Sequence, residues 1–319
     1  MKERLHFEDN GDGWLLEIRQ FWDAERLDPQ RPPLLLIPGY GMNTFILNYH
    51  PRGQSMVAFL AERGFEVWTA NLRGQGGSRK NGGVRQFGFG ELALVDLPVV
   101  LEFVQDNTRT KRNTMSAIGC SLGATFLYAY LAHHTEDHPF ESLVALGGPM
   151  RWEKVHPLVK IAFRSPAVAG AVPFLGTREL AKRVLPVAKY VPKVLDVYMN
   201  RDMIDLSRPG DLVQTIDDPV PRLNKQIAYW IKNKDLVVRG RNVTNSLKGL
   251  VLPTLAVIAN ADGVVPAATA ASIKGIIEPV DLMYVGDERR WFAHADLFIS
   301  DHAQDRVFGP LADWLERTK

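Results

Sequence analysis

Short apolar runs and amphipathic stretches alternate along roughly the first half of the chain. The apolar runs carry β-branched residues and are bounded by turn residues, so they predict buried strands; they lie at 13–22, 33–37, 65–72, 114–118 and 142–146. The stretches between them repeat apolar residues with the i, i+3, i+4 spacing of a helix; they lie at 55–63, 91–106 and 124–134. Strands that alternate with helices predict an α/β fold, with a mostly parallel, doubly wound sheet and helices on both faces.

This alternation stops at residue 151 and resumes near residue 249. The stretch 151–248 contains eight of the 20 prolines and predicts short helices separated at proline breaks. These helices are predicted at 159–163, 178–187, 191–198 and 221–230. Because the stretch follows a strand of the sheet, we interpret it as a helical cap or lid inserted between two parts of one core, 1–150 and 249–319. Such a cap lies over the carboxyl edge of the strands, where open α/β sheets bind ligands.

The strand predicted at 114–118 leads into a glycine-flanked serine. Gly119, Ser121 and Gly123 form a G-x-S-x-G motif between that strand and the helix predicted next. A sharp turn at this point strains the serine backbone, and the flanking residues must be small because the two segments nearly touch. This context is typical of the nucleophile elbow of a serine hydrolase, although a glycine-rich turn with a solvated serine has the same letters. We therefore interpret Ser121 as a candidate nucleophile.

Two partners for this serine follow in the order that a catalytic triad on this turn requires, serine, then carboxylate, then histidine. The predicted strand 253–259 ends in a turn that contains Asp262. The predicted strand 281–285 is followed, after a polar turn, by His294. Both residues then lie beyond strand ends at the same edge as Ser121. The sequence predicts a Ser121, Asp262, His294 triad.

Two other residues compete for these roles. His302 lies eight residues after His294, in a charged segment that is typical of a helix start. Asp296 could replace Asp262 as the carboxylate that orients the histidine, but two residues from His294 it reaches the correct ring nitrogen only with difficulty. The other reading of Asp296 is a carboxylate in the first turn of a helix.

An oxyanion hole is predicted beside the elbow. The strand 33–37 runs into Pro38-Gly39-Tyr40-Gly41. In this arrangement one backbone N–H comes from the loop after an early strand and the other from the residue after the nucleophile. That assigns the N–H groups of Tyr40 and Leu122, against the alternative of an ordinary tight turn at Gly39-Tyr40-Gly41.

Composition limits the remaining possibilities. The 319 residues are 46% hydrophobic, enough for a large core, and a net charge of +2 favours neither nucleic acid nor an acidic polymer as a partner. A single cysteine suits a reducing compartment, and the first residues lack the apolar segment of a signal peptide, so we expect a cytoplasmic protein. No His/Cys spacing predicts a metal site and no glycine-rich loop predicts a phosphate site. We therefore expect no cofactor.

The first half of the predicted cap is basic. Residues 151–193 contain nine Lys and Arg against two Glu, among many apolar residues. Two interpretations stay open, a solvated cap surface or an amphipathic lid that contacts an apolar or anionic interface.

Several segments together resemble a known superfamily. LLLIPGYG, FLAERGFEVWTANLRGQGGS, AIGCSLG, ANADGVVP, HADLF and VFGPLADWL are similar to α/β-hydrolases, and more narrowly to the branch of acid lipases and polyhydroxyalkanoate synthases. The resemblance covers roughly residues 10–150 and 250–319. It implies the α/β-hydrolase fold, a Ser-Asp-His esterase mechanism and a variable lid. Because the predicted cap is apolar and basic, we expect a small-molecule ester substrate with an apolar acyl chain.

The chain departs from that pattern at two positions. The synthases carry cysteine at the centre of the elbow, whereas here Cys120 precedes the central Ser121. We expect Cys120 to point away from the site, which favours ester hydrolysis over polymer synthesis. Pro38 replaces the usual histidine before the oxyanion loop. An acyltransferase with the same triad and a non-catalytic binding protein remain as alternatives, and the sequence leaves the oligomeric state open.

Overall fold

A mostly parallel sheet forms the centre of the molecule. The computed structural model describes residues 1–171, 195–218 and 220–318. The strands among these residues are β1 Lys2–Asp9, β2 Trp14–Trp22, β3 Leu34–Ile37, β4 Val67–Asn71, β5 Arg79–Lys80, β6 Met115–Cys120, β7 Phe140–Leu146, β8 Val237–Val238, β9 Arg241–Asn242, β10 Leu250–Ala259 and β11 Ile277–Val285. The strands of the main sheet lie in the order β1-β2-β4-β3-β6-β7-β10-β11. From β4 to β11 the neighbouring strands of this sheet are parallel. β1 and β2 pair antiparallel at one side, β5 pairs with β2, and β8 and β9 form a separate hairpin.

Helices connect the strands and cover both faces of the sheet. Those that the structure describes are α1 Phe45–Asn48, α2 Met56–Glu62, α3 Phe89–Glu91, α4 Leu97–Asn107, α5 Leu122–Leu131, α6 Pro157–Ala162, α7 Pro166–Ala171, α8 Pro209–Leu212, α9 Pro221–Asn233, α10 Val243–Ser246, α11 Ala267–Ala270, α12 Asp296–Ile299 and α13 Gly309–Arg317. Short 3₁₀ turns lie at Val213–Thr215 and Ala271–Ile273, and π-helical turns at Leu92–Asp96 and Gln304–Phe308. None of the helices in this part of the chain is both long and apolar enough to cross a membrane.

The core has two halves because successive strand residues point to opposite faces of the sheet. In β3, Leu34 and Leu36 belong to one buried cluster and Leu35 and Ile37 to the other. All four residues of this strand are fully buried, as expected for a central parallel strand covered on both sides. The predicted α/β architecture is confirmed, and the resemblance named the correct fold.

The predicted single helix 91–106 has a different internal structure. It begins at Phe89 and ends at Asn107, with the π-helical turn Leu92–Asp96 in between. Pro98, which has no N–H to donate, follows this turn at the start of α4. The turn includes Asp96, which is fully buried and makes an ion pair with the buried Arg73.

The inserted stretch is only partly described. The helix predicted at 159–163 is observed as Pro157–Ala162, and the one predicted at 221–230 as Pro221–Asn233. The helix predicted at 178–187 lies outside the described residues, as does the first half, 191–194, of the one predicted at 191–198. After α9, Leu236, Val238 and Val243 pack into the larger core cluster, so the end of the insertion is continuous with the core.

Candidate active site

Ser121 lies on a strained turn between β6 and α5. Its backbone has φ 53° and ψ −126°, a conformation that side-chain-bearing residues rarely adopt. The Ser121 N–H donates to the Leu146 carbonyl of the neighbouring strand at 2.8 Å, and its own carbonyl accepts the Ala124 N–H at 3.1 Å. The turn therefore ends the strand and begins the helix within one residue.

The two glycines of the motif are required by close backbone approach. A Cβ on Gly119 would lie 2.3 Å from the Cα of Ala124, and one on Gly123 would lie 2.1 Å from the carbonyl oxygen of Ile37. Both contacts are far below van der Waals separation, and in both the opposing atom belongs to the backbone. This is the steric reason, expected from the sequence, for small residues on either side of Ser121.

Asp262 lies just beyond the end of β10, where the backbone fixes its carboxylate. Oδ1 accepts the N–H groups of Val264 at 2.8 Å and Val265 at 2.7 Å. The neighbouring Ala261 N–H donates to the Phe292 carbonyl at 2.9 Å, which ties this turn to the segment that carries His294. Oδ2 is thereby left facing that histidine.

His294 follows β11 and is only 3% exposed. Its Nδ1 lies 2.6 Å from Oδ2 of Asp262. Because an ionised carboxylate can only accept, Nδ1 carries the proton and Nε2 is left as an acceptor. The ring of Tyr198 lies beside the imidazole, with 6.2 Å between the ring centres. Burial, with a smaller effect of the negative charges of Asp262 and Asp296, raises the pKa of Tyr198 to about 12.

Ser121 and His294 flank the same turn at the end of β7. A Cβ on Gly147 would lie 3.2 Å from Cε1 of His294, and one on Gly148 would lie 3.2 Å from the carbonyl oxygen of Ser121. The structure thus brings Ser121, Asp262 and His294 to one edge of the sheet, where all three are buried.

The two competing residues have other partners. Nδ1 of His302 lies 3.4 Å from a guanidinium nitrogen of Arg290, in a charged surface segment. Asp296 accepts the backbone N–H of Ala293 at 2.6 Å and that of Asn200 at 3.0 Å. Burial raises the pKa of Asp296 to about 7, against the lowering effect of these two donors. Asp296 therefore braces the turn that carries His294, and it is Asp262 that bonds the ring.

The predicted oxyanion loop packs directly against the elbow. A Cβ on Gly39 would lie 2.7 Å from the Cβ of Ser121, so this part of the loop touches the serine. Leu122 is the first residue of α5, so its N–H has no partner within the helix. The side-chain amide of Gln75 donates to the carbonyls of Gly39 and Met42. Gln75 was not among the residues predicted from the sequence, although it belongs to the LRGQGGS segment that the resemblance includes.

The inserted stretch contacts this loop and the histidine turn. The Asn43 N–H donates to the Thr215 carbonyl at 3.1 Å, and the hydroxyl of Tyr40 donates to Oδ1 of Asn224 in α9. On the other side, the Ala295 N–H donates to the Tyr198 carbonyl at 2.8 Å. Sequence patterns did not indicate these contacts, because they join segments that are distant along the chain.

Two further expectations from the sequence concern Cys120 and metal binding. Cys120 is fully buried in the core cluster that contains Leu34 and Leu36, and burial raises the pKa of its thiol. Among the described residues, the structure shows no group of three or more His, Cys, Asp or Glu side chains that could hold a metal ion.

A known family matches the part of the chain that contains the elbow. Its model, described as the alpha/beta hydrolase fold, matches residues 32–169, from just before β3 to within α7, which is less than half of the chain. The chain has the α/β-hydrolase fold. A probable lipase of Schizosaccharomyces pombe is 27% identical to this chain over 143 residues, which are 41% of this chain and 31% of that relative. The match therefore spans about a third of the length of the curated relative.

Solved structures extend the likeness in fold to nearly the whole chain. The esterase RhEst1 from Rhodococcus sp. ECU1013 has a TM-score of 0.63 at 16% identity and covers 100% of both chains. A bromoperoxidase from Bacillus anthracis has a TM-score of 0.63 at 16% identity, covering 98% of this chain and 100% of its own. These two names differ in activity, so the likeness establishes the fold and leaves the reaction to the site.

Proposed function

We propose that this protein is a serine hydrolase that cleaves carboxylic esters through an acyl-enzyme. The observation that carries the proposal is the buried hydrogen bond between Nδ1 of His294 and Oδ2 of Asp262, at the same edge as a serine with positive φ. A carboxylate that holds the imidazole in this tautomer leaves Nε2 free to accept a proton. A histidine that can accept a proton and a strained serine at the start of α5 are the components of nucleophilic acyl transfer.

The proposed reaction has two half-reactions. Nε2 of His294 takes the hydroxyl proton of Ser121 while the serine oxygen attacks the ester carbonyl carbon, and Asp262 stabilises the imidazolium that forms. The N–H groups of Tyr40 and Leu122 bind the oxyanion. Collapse breaks the bond to the alcohol, which leaves with the proton from His294. Water, deprotonated by His294, then attacks the acyl-enzyme. The bond between the acyl carbon and the Ser121 oxygen breaks, His294 returns the proton to that oxygen, and the acid is released.

The proposed substrate is a small ester with an apolar acyl chain. In support, α6 exposes Leu158 and Ile161, with Lys160 on the same helix. A surface that combines exposed apolar residues with fixed positive charge suits esters presented at an apolar or anionic interface. The inserted stretch 151–248 is proposed as the cap that forms this surface. It is also proposed that the protein acts in the cytoplasm.

Hydrolysis of p-nitrophenyl esters of graded chain length tests the proposal. We expect turnover by the unaltered protein and a loss of several orders of magnitude in kcat for Ser121→Ala, since triad members act as a unit. Ser207→Ala, which removes an exposed hydroxyl, is the matched control and should keep full activity. Turnover by Ser121→Ala close to that of the control would refute the assignment. Adding an alcohol acceptor and analysing the products separates hydrolysis from acyl transfer.

A further inference from the structure

The side chain of Gln75 joins two loops at the edge of the sheet. Gln75 follows β4 in the LRGQGGS segment and is 8% exposed. Its Oε1 accepts the Leu72 N–H at 3.0 Å, and its Nε2 donates to the carbonyl of Gly39 at 2.8 Å and to that of Met42 at 3.1 Å. The two amide hydrogens and the amide oxygen are all used, so the orientation of the amide is fixed by its partners.

The two carbonyls that Gln75 binds bracket Tyr40. The carbonyl of Gly39 and the N–H of Tyr40 belong to the same peptide unit. Because a trans peptide is planar, its C=O and N–H point in opposite directions. A donor that holds the carbonyl on one side therefore sets the direction of the N–H on the other.

Gly39, which begins this peptide unit, lies against the elbow. A Cβ on Gly39 would lie 2.7 Å from the Cβ of Ser121 and 2.8 Å from the Cys120 carbonyl oxygen, so the peptide unit that follows Gly39 begins against the nucleophile. The Tyr40 N–H is one of the two oxyanion donors of the proposed function. A hydrogen bond to the carbonyl also polarises the amide and strengthens its N–H as a donor.

Pro38, where this chain departs from the family pattern, makes the hydrogen bonds of Gln75 more important for holding the loop. Where the resembling family has a histidine, Pro38 offers neither a side-chain donor nor a backbone N–H. Hydrogen bonds to the loop must therefore come from other segments. Gln75 supplies two of these hydrogen bonds from the core, and the inserted stretch supplies the one from the Asp217 N–H to the Gly41 carbonyl at 3.0 Å.

We propose that Gln75 is the positioning residue of the oxyanion hole: its amide holds the Gly39 and Met42 carbonyls so that the Tyr40 N–H points at the developing oxyanion. This inference rests on the proposed ester hydrolysis. Gln75 touches no reacting atom and acts through the backbone of the loop. Its loss therefore affects the transition state, in which charge develops on the carbonyl oxygen, more than the bound substrate.

Two variants remove the donor in different ways. Gln75→Glu keeps the shape but places a carboxylate without a proton against two carbonyl oxygens. Gln75→Leu is of similar size and leaves both carbonyls unbonded. Gln30→Leu is the matched control, because Gln30 is exposed and precedes β3 at the opposite edge of the sheet. Titration of Ser121 with a fluorophosphonate to its endpoint counts the active sites in each preparation. kcat is then calculated per active site, so partial misfolding of a variant does not lower its kcat.

The measurements are kcat, KM and the inhibition constant of a trifluoromethyl ketone that has the same acyl chain as the substrate. For both Gln75 variants we expect kcat to fall about 100-fold with KM within about threefold. The inhibition constant should rise by the factor by which kcat/KM falls, because the bound ketone is an oxyanion; Gln30→Leu should change none of these.

Two outcomes overturn the inference, and they differ from failure of the proposed function. If both Gln75 variants keep kcat within about threefold of the unaltered protein, or if their loss appears in KM with inhibitor binding unchanged, Gln75 does not position the oxyanion donor. If the unaltered protein neither hydrolyses esters nor reacts with the fluorophosphonate, the proposed function fails and the inference fails with it.

Discussion

The carboxylate of Asp296 accepts the backbone N–H of Asn200 through both oxygens, at 3.0 Å each, across 96 positions of the chain. Oδ2 also accepts the Ala293 N–H, next to His294. One buried carboxylate therefore joins the inserted stretch to the histidine turn. Asn200 completes the connection through its side chain, whose Nδ2 donates to the Trp291 carbonyl at 3.0 Å.

Asp296 should make stability depend on pH. Burial raises its pKa to about 7, whereas the unfolded chain has the ordinary value of 3.8. Between these values the folded protein binds more protons, so the free energy of unfolding contributed by Asp296 falls as pH rises from about 4 to about 7. We expect Asp296→Asn to lack this decline in urea unfolding at pH 4.5, 6 and 8. Asp106→Asn, an exposed control, should keep it; equal pH dependence of the two variants would contradict the account.

The turn that carries Gln75 depends on a buried ion pair. The guanidinium of Arg73 bonds Asp96 through Nη2 at 2.7 Å, and both side chains are fully buried. Arg73→Met leaves a buried carboxylate without a cation, which we expect to cost about 3–5 kcal/mol of unfolding free energy. Arg112→Ala, which breaks an exposed pair with Glu141, should cost less than about 1 kcal/mol. Denaturant unfolding compares the two, and similar losses would show that burial of the pair adds nothing.

The elbow should tolerate no methyl group at Gly119. A Cβ there would lie 2.3 Å and 2.4 Å from backbone atoms of Ala124, which cannot move without displacing α5. We expect Gly119→Ala to lose about 3 kcal/mol of unfolding free energy or more. Gly210→Ala is the control, since its Cβ has no neighbour within 4 Å, and it should change stability by less than about 0.5 kcal/mol. A Gly119→Ala protein as stable as the control would contradict the close approach.

The positions of Ser121, Asp262 and His294 could be predicted because the parallel topology itself brings their strand ends together. Each follows an apolar run, and carboxyl ends of parallel strands meet at one edge. The sequence did not predict β1, Lys2–Asp9, because most of its residues are charged or exposed and its pairing with β2 supplies the strand. Nor could it assign the hydrogen bonds of Gln75 and Asp296, which depend on which loops meet in space. The local sequence pattern determines whether a segment forms a helix or a strand, whereas these hydrogen bonds depend on which segments the whole fold brings together.

The exposed apolar residues of α6 should affect the rate only when the substrate is presented at an interface, such as the surface of a micelle. Leu158 and Ile161 are 46% and 64% exposed. We expect medium or longer acyl esters to be preferred over acetate, and the rate to rise when substrate forms micelles, less so at high salt for anionic micelles. The double variant Leu158→Ser, Ile161→Ser should weaken this rise and leave turnover of monomeric substrate unchanged.

Val251→Ser is the control for that experiment, because Val251 is 78% exposed and belongs to β10 rather than to α6. It should behave as the unaltered protein. A rate curve without a break at the micelle concentration would leave α6 as an ordinary surface helix. A clear preference for acetate would instead indicate an esterase for small acyl groups on the same triad.

The most direct test of the triad is the rate and site of covalent labelling by a fluorophosphonate, followed by mass spectrometry. We expect one adduct, on the peptide that contains Ser121, formed at least about 100-fold more slowly in His294→Ala and at an unchanged rate in His302→Ala. An adduct on another serine would contradict it, as would rapid labelling of the His294 variant together with slow labelling of the His302 variant.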